Sequence, residues 1–191
     1  MSAFIVAGAA LLSGCASVYV DTATKAVPVS EMKKVAQPKP VRLVFEFQSK
    51  GAPNARATDF LKDAVAEQVK STGMFSAIDS TSPNDGILNV TLNNVPLTED
   101  AASKGFVTGL TFGLAGSAVT DGYICTVTYL APGKTQPITK TARHAIHTVL
   151  GNANAPVNAV KSENLEVAVR TMAKDVLSNA LRDLSHDAAF N

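Results

Sequence analysis

Few residues of this 191-residue chain combine the types and spacing that chemistry needs. Two are thiols. A thiol is the side chain that forms thioethers, and Cys15 follows Ser13-Gly14, small residues that let a backbone enter a peptidase cleft. Cys125 stands in an alternating stretch with Tyr123, Val127 and Tyr129 on its side, the position of a small core residue. A disulfide between Cys15 and Cys125 is the competing expectation in an oxidising compartment. His144 and His147 come nearest to a metal-binding pair. Residues three apart share a helix face but point to opposite sides of a strand, and Thr139, Thr141, Thr148 and Val149 favour a strand. The two imidazoles are therefore expected to be ordinary, half-exposed side chains that cannot chelate one ion. His186, near the C-terminus, is expected to do nothing specific. Asp59, Asp63 and Glu67 recur at helical spacing, but Lys62 lies among them, as on a solvated helix face. There is no Gly-x-Ser-x-Gly elbow, no phosphate-cradling glycine loop followed by Lys-Ser/Thr and no metal-binding cysteine pair. The expectation is a protein that is not an enzyme, with no catalytic residue, no metal and no cofactor.

Composition bounds the rest. Apolar residues make up 46% of the chain and charged residues 17%, with a formal net charge of +1. That is too apolar for a disordered chain and too neutral for an electrostatically driven nucleic-acid binder, so no nucleic-acid partner is expected. The length suits one domain. The charge deficit points to segments that are not ordinary domain surface, and two stand out.

The first is Phe4-Ile5-Val6-Ala7-Gly8-Ala9-Ala10-Leu11-Leu12, followed by Ser13-Gly14-Cys15. It is too short to cross a bilayer, which takes about 20 apolar residues, and has the build of a signal-peptide core. Leu12-Ser13-Gly14-Cys15 resembles the lipobox of bacterial lipoproteins at all four positions. The resemblance implies a signal peptide over residues 1–14, cleavage between Gly14 and Cys15, a diacylglyceryl thioether on Cys15 and acylation, as by palmitate, of the new amino group. Each buried CH₂ of such chains contributes about 0.8 kcal/mol, so several chains anchor stably. Ala16 after the cysteine, rather than Asp, implies delivery to the outer membrane, facing the periplasm. Met1-Ser2-Ala3 lacks the Lys or Arg that opens such signals, and a start of translation upstream would account for it. Residues 15–40, with Pro28, Pro38 and Pro40 and no sustained periodicity, are expected to be mainly a tether with a coil span of about 25 to 30 Å.

A single domain is then expected over residues 41–191. Val41, Leu43, Phe45 and Phe47 alternate as one face of a strand. Thr58 or Asp59 can cap a helix bearing Phe60, Leu61, Ala64, Val65 and Val69, with Gly73 as its stop. Met74 to Asp79 and Ile87 to Val95 read as strands, the latter with Leu88, Val90 and Leu92 inward, and Tyr123 to Leu130 and Ile138 to Leu150 as two more. A long closing helix spans about Ser162 to His186, with a stripe running from Leu165 to Leu184. The order is β-α-β-β-insert-β-β-α. It predicts an α+β two-layer sandwich, a mainly antiparallel sheet packed by two helices.

That order resembles small periplasmic lipoproteins whose soluble part shares the fold of the TolB amino-terminal domain, such as the curli secretion lipoprotein. It is also similar in topology to the lipopolysaccharide-assembly lipoprotein that plugs an outer-membrane barrel. The resemblance implies location and architecture. The second unusual segment, residues 105–119, is an uncharged, glycine-rich insert. Phe106, Val107, Leu110, Phe112 and Leu114 within it are candidates for contact with a membrane or partner, and a fold-back beneath the sheet is the alternative. The functional expectation is a membrane-anchored accessory of the cell envelope that binds or assembles through an envelope partner or through self-association. A subunit of an oligomeric outer-membrane secretion complex is the alternative, and a small-molecule binder or hydrolase a more distant one.

Overall fold

The structure is a computed structural model that describes residues 16–97, 118–151, 154 and 156–190. Strand β2 (Val41–Ser49) opens the expected core: Val41 and Phe47 are buried, and Leu43 and Phe45 pack on the same side. A two-residue turn at Lys50-Gly51 follows, both at positive φ (55° and 81°), as tight hairpins require. It leads into the short edge strand β3 (Ala52–Pro53), where a proline can sit because nothing pairs beyond it. Helix α1 (Ala55–Ser71) starts earlier than its sequence suggests. Asn54 is its cap, accepting from Ala57 N at 3.1 Å. Thr58, the expected cap, instead accepts from Phe47 N at 2.9 Å and so ties α1 to β2. Leu61, Val65 and Val69 form the buried stripe, and Gly73 at φ 67° ends the run.

Strand β4 (Gly86–Pro96) lies parallel to β2, and β5 (Ala118–Leu130) and β6 (Ile138–Leu150) extend the sheet antiparallel. Leu88, Val90 and Leu92 from β4 meet Tyr123, Cys125, Val127 and Tyr129 from β5 on the helix-covered face, as their alternation predicts. Met74 to Asp79 does not form the predicted strand. It makes only isolated bridges, Phe75 to Lys39 and Asp79 to Arg42, beside the first half of β2. Helix α2 (Leu165–Ser185), capped by Asn164 accepting from Val167 N at 2.9 Å, lies across β5 and β6. It buries Met172, Val176, Leu177, Leu181 and Leu184, each contributing about 1.5 to 3 kcal/mol. Leu165, expected in that stripe, is 53% exposed.

The expected tether is the main correction. Ala16–Asp21 forms strand β1, which pairs antiparallel with β6 on one side and with the short β7 (Ala159–Lys161) on the other. Among the described residues the sheet is therefore seven-stranded, in the order β3-β2-β4-β5-β6-β1-β7. From Thr22 to Pro40 the chain crosses α2 as a strap. Val27 N donates to Ser178 Oγ at 2.9 Å, Lys33 N to Ser185 Oγ at 3.0 Å, and Asn179 Nδ2 donates to Lys25 O at 2.8 Å. Met32 is buried in the core. The strap lacks periodicity because helix side chains, not a second strand, satisfy its backbone. His186 also contributes, its Nε2 meeting Glu31 O at 3.0 Å, contrary to the expectation of an idle side chain.

The far end of the sheet closes on a trio of rings. Phe75, Tyr129 and Phe190 lie with centroids 5.1 to 5.8 Å apart beside a cavity of about 450 Å³. Lys140 Nζ meets Asp187 Oδ2 at 2.6 Å and holds the C-terminal turn to β6.

Candidate functional site

The end of the sheet next to Cys15 is built by three strands that outrun the others. Ser49, Asn94, Tyr123 and His144 are opposite one another, and there β2 stops. β6 continues from His144 to Leu150, about 20 Å at the rise of an antiparallel strand. Ala16 pairs with Leu150, and Ala118 with Val149, so the start of β1, the start of β5 and the end of β6 share one tip. Val119 and Leu150 there are 56% and 50% exposed. Gly14 and Cys15, and with them Phe106, Val107, Leu110, Phe112 and Leu114, lie outside the described residues.

Ala16 is opposite Leu150, whereas Cys125 is opposite Ala142, eight positions back along β6 and hence about 26 Å along the strand. The Cys15 to Cys125 pairing falls on a residue outside the described ones. Cys125 is a core residue, 1% exposed, and burial pushes its thiol up to about 12.

The two histidines point to opposite faces of β6, as the strand reading requires, but they are not half-exposed: both are fully buried. Each meets a carboxylate that no local sequence pattern marks. His144 Nδ1 lies 2.8 Å from Ala145 N and 3.0 Å from Ala145 O, and Nε2 lies 3.2 Å from Asp175 Oδ2 of α2. On the other face His147 Nε2 lies 3.4 Å from Asp21 Oδ2 of β1, and Nδ1 is 2.9 Å from Thr120 Oγ1 of β5. Asp21 also accepts from Ala23 N at 2.7 Å, which turns the chain out of β1. One pair thus fastens the helix layer to β6, the other the N-terminal strand to its neighbours. Asp175 was legible only as a polar residue among apolar ones on the closing helix. Asp21 was legible only after the Val18-Tyr19-Val20 alternation is read as a strand.

Asp59, Asp63 and Glu67 are exposed on α1, and Asp59 binds Lys62 at 3.0 Å, which raises the lysine's pKa. Among the described residues no three His, Cys, Asp or Glu side chains converge as metal ligands, and no helix is long and apolar enough to cross a membrane.

No protein-family model matches the chain, and no curated protein matches it. Solved structures overlap it partially. Rare lipoprotein B from Shewanella oneidensis is 17% identical with a TM-score of 0.39, over 77% of this chain and 94% of that one. A PelC dodecamer from Paraburkholderia phytofirmans is 9% identical with a TM-score of 0.38, over 91% and 99%. A protein from Xanthomonas campestris is 14% identical with a TM-score of 0.35, over 85% of each chain. Overlaps of this size do not define a family, and function is read from the chain's own residues.

Proposed function

We propose that this chain is a lipid-anchored protein of the bacterial cell envelope, held in the outer membrane through Cys15 and facing the periplasm, where it acts as a binding or assembly accessory rather than an enzyme. The observation that carries the proposal is Leu12-Ser13-Gly14-Cys15 standing immediately before Ala16, where β1 begins. A thiol in that position is the group that a thioether requires. The histidines, the residues best suited to acid–base chemistry, are consumed in fastening the sheet. The partner is an envelope protein or a second copy, met through Phe106, Val107, Leu110, Phe112 and Leu114.

The test is the intact mass of membrane-extracted protein beside that of a Cys15→Ser variant, with detergent-phase partitioning of both. A triacylated mass beginning at Cys15, lost in the variant together with partitioning, supports the anchor. An unprocessed mass overturns it. Deleting residues 105–119 and crosslinking in whole cells tests the partner segment: unchanged crosslinked species refute it.

A further inference from the structure

We infer that the domain stands upright on the bilayer, with the β1–β5–β6 tip against the lipid, Val119 and Leu150 entering the headgroup region, and the ring-lined end held about 40 Å away. The inference rests on the proposed anchor at Cys15 and adds an orientation and a contact surface to it. The length of chain between anchor and fold carries the argument. β1 begins at Ala16, so no linker separates the acylated residue from the sheet. Lipid chains on Cys15 would bring the bilayer surface to within one residue of the tip, and a strand paired to β6 from its first residue onward cannot swing as a coil would.

The chemistry of the tip fits that occupant. Val119 and Leu150 expose half or more of their surfaces although both are aliphatic. They sit on the last rungs of the sheet, Val119 opposite Thr148 and Leu150 opposite Ala16. Exposed aliphatic groups beside a lipid anchor gain from entering the acyl boundary by burial of their apolar area. The opposite end differs. The Pro132-Gly133 turn lies at the other extremity of β6, about 40 Å from the tip for a strand of 13 residues, and carries Lys134 there. The cavity beside Phe75, Tyr129 and Phe190 opens at that distal end, lined also by Lys39 and Lys134.

The experiment places single cysteines at position 150, position 119 or position 134 of the full chain and couples each to an environment-sensitive fluorophore. The buried, high-pKa thiol of Cys125 and an acylated Cys15 would leave the introduced thiol as the reactive one. The labelled proteins are reconstituted in phosphatidylethanolamine–phosphatidylglycerol vesicles with and without phospholipids spin-labelled on the acyl chain. The Leu150→Cys and Val119→Cys labels are expected to emit at shorter wavelength and to lose at least half their intensity to the quencher. The Lys134→Cys label is expected to emit as in water and to lose none. Equal quenching at all three positions, or none at 150 and 119, overturns the upright orientation. The mass of each preparation separates the two ideas. A triacylated chain with an unquenched 150 label keeps the anchor and refutes the orientation, whereas an unlipidated chain, seen as a second labelled thiol, refutes both.

Discussion

At the scale of single residues, the two buried histidine–carboxylate pairs are the positions where a small change should cost most. Asp21→Ala leaves the His147 Nε2 proton in a fully buried site without its acceptor, and an unsatisfied buried polar group costs about 1 to 3 kcal/mol. Urea unfolding should show that loss, with the midpoint lowered and the slope unchanged. Adding His147→Ala should cost less than the two single changes summed, because the partners act as a unit. Additive losses would mean that the 3.4 Å contact contributes nothing of its own. Asp175→Ala should behave likewise through His144. Cys125 makes the complementary prediction. Its thiol lies far above neutral pH and inside the core, so a thiol reagent at pH 8 should label the native chain only as fast as the chain opens, and denaturant should raise the rate by orders of magnitude. Prompt native labelling with one equivalent would contradict the core placement. These residues differ in how they could be read in advance. The alternation around Cys125 announces its burial, whereas a polar residue's burial depends on a partner distant in sequence, and Asp21 lies 126 positions from His147.

Elements with a strong period were legible and those without one were not. β2, β4, β5, β6, α1 and α2 each bury one side against the other layer, so their apolar spacing is written along the chain. β1 was hidden by brevity and by its place next to a short cleavage-like motif. The strap was hidden because its order comes from hydroxyl groups on α2. Ser178 and Ser185 donate back to Asp175 O and Arg182 O at 2.8 and 2.7 Å, which leaves their lone pairs free to accept Val27 N–H and Lys33 N–H. Ser178→Ala should therefore raise hydrogen exchange at the Val27 amide, and Ser185→Ala at the Lys33 amide, each at a stability cost of about 1 kcal/mol. Exchange that rises uniformly along residues 22–40 would show that Met32 and the other apolar contacts, not the serines, hold the strap. Of the candidate site, the proposed anchor at Cys15 rests on four residues of sequence. The tip that begins at Ala16 depends on pairing with Leu150, which no local pattern records.

At the scale of the whole molecule, the ends of the described chain are locked to its middle. The Lys140 hydrogen bond first, and then the Ala189 N–H, hold the Asp187 carboxyl below the usual carboxylate range, with the lysine's charge adding a smaller share. A lowered folded value means that the pair's stabilisation is complete above the ordinary value of 3.8 and is lost as pH falls through the lower folded value. The stability difference between the natural chain and Asp187→Asn should thus stay constant from pH 8 to pH 5 and shrink below pH 4 in thermal scans. A difference that persists unchanged to pH 2 would show that the ion pair plays no part.

The placement of β1 also sets a timetable. Among the described residues the first strand is an interior strand, and its main partner, β6, is not complete until residue 150. A polypeptide released from its N-terminus onward must hold β1 unpaired while most of the remaining chain follows, and closing so long a loop slows the final assembly of the sheet. During that interval the residues around position 16 are accessible as extended chain. Once β6 arrives they are paired along it, Ala16 opposite Leu150. Any enzyme that has to work next to Ala16 therefore has its opportunity before the domain closes.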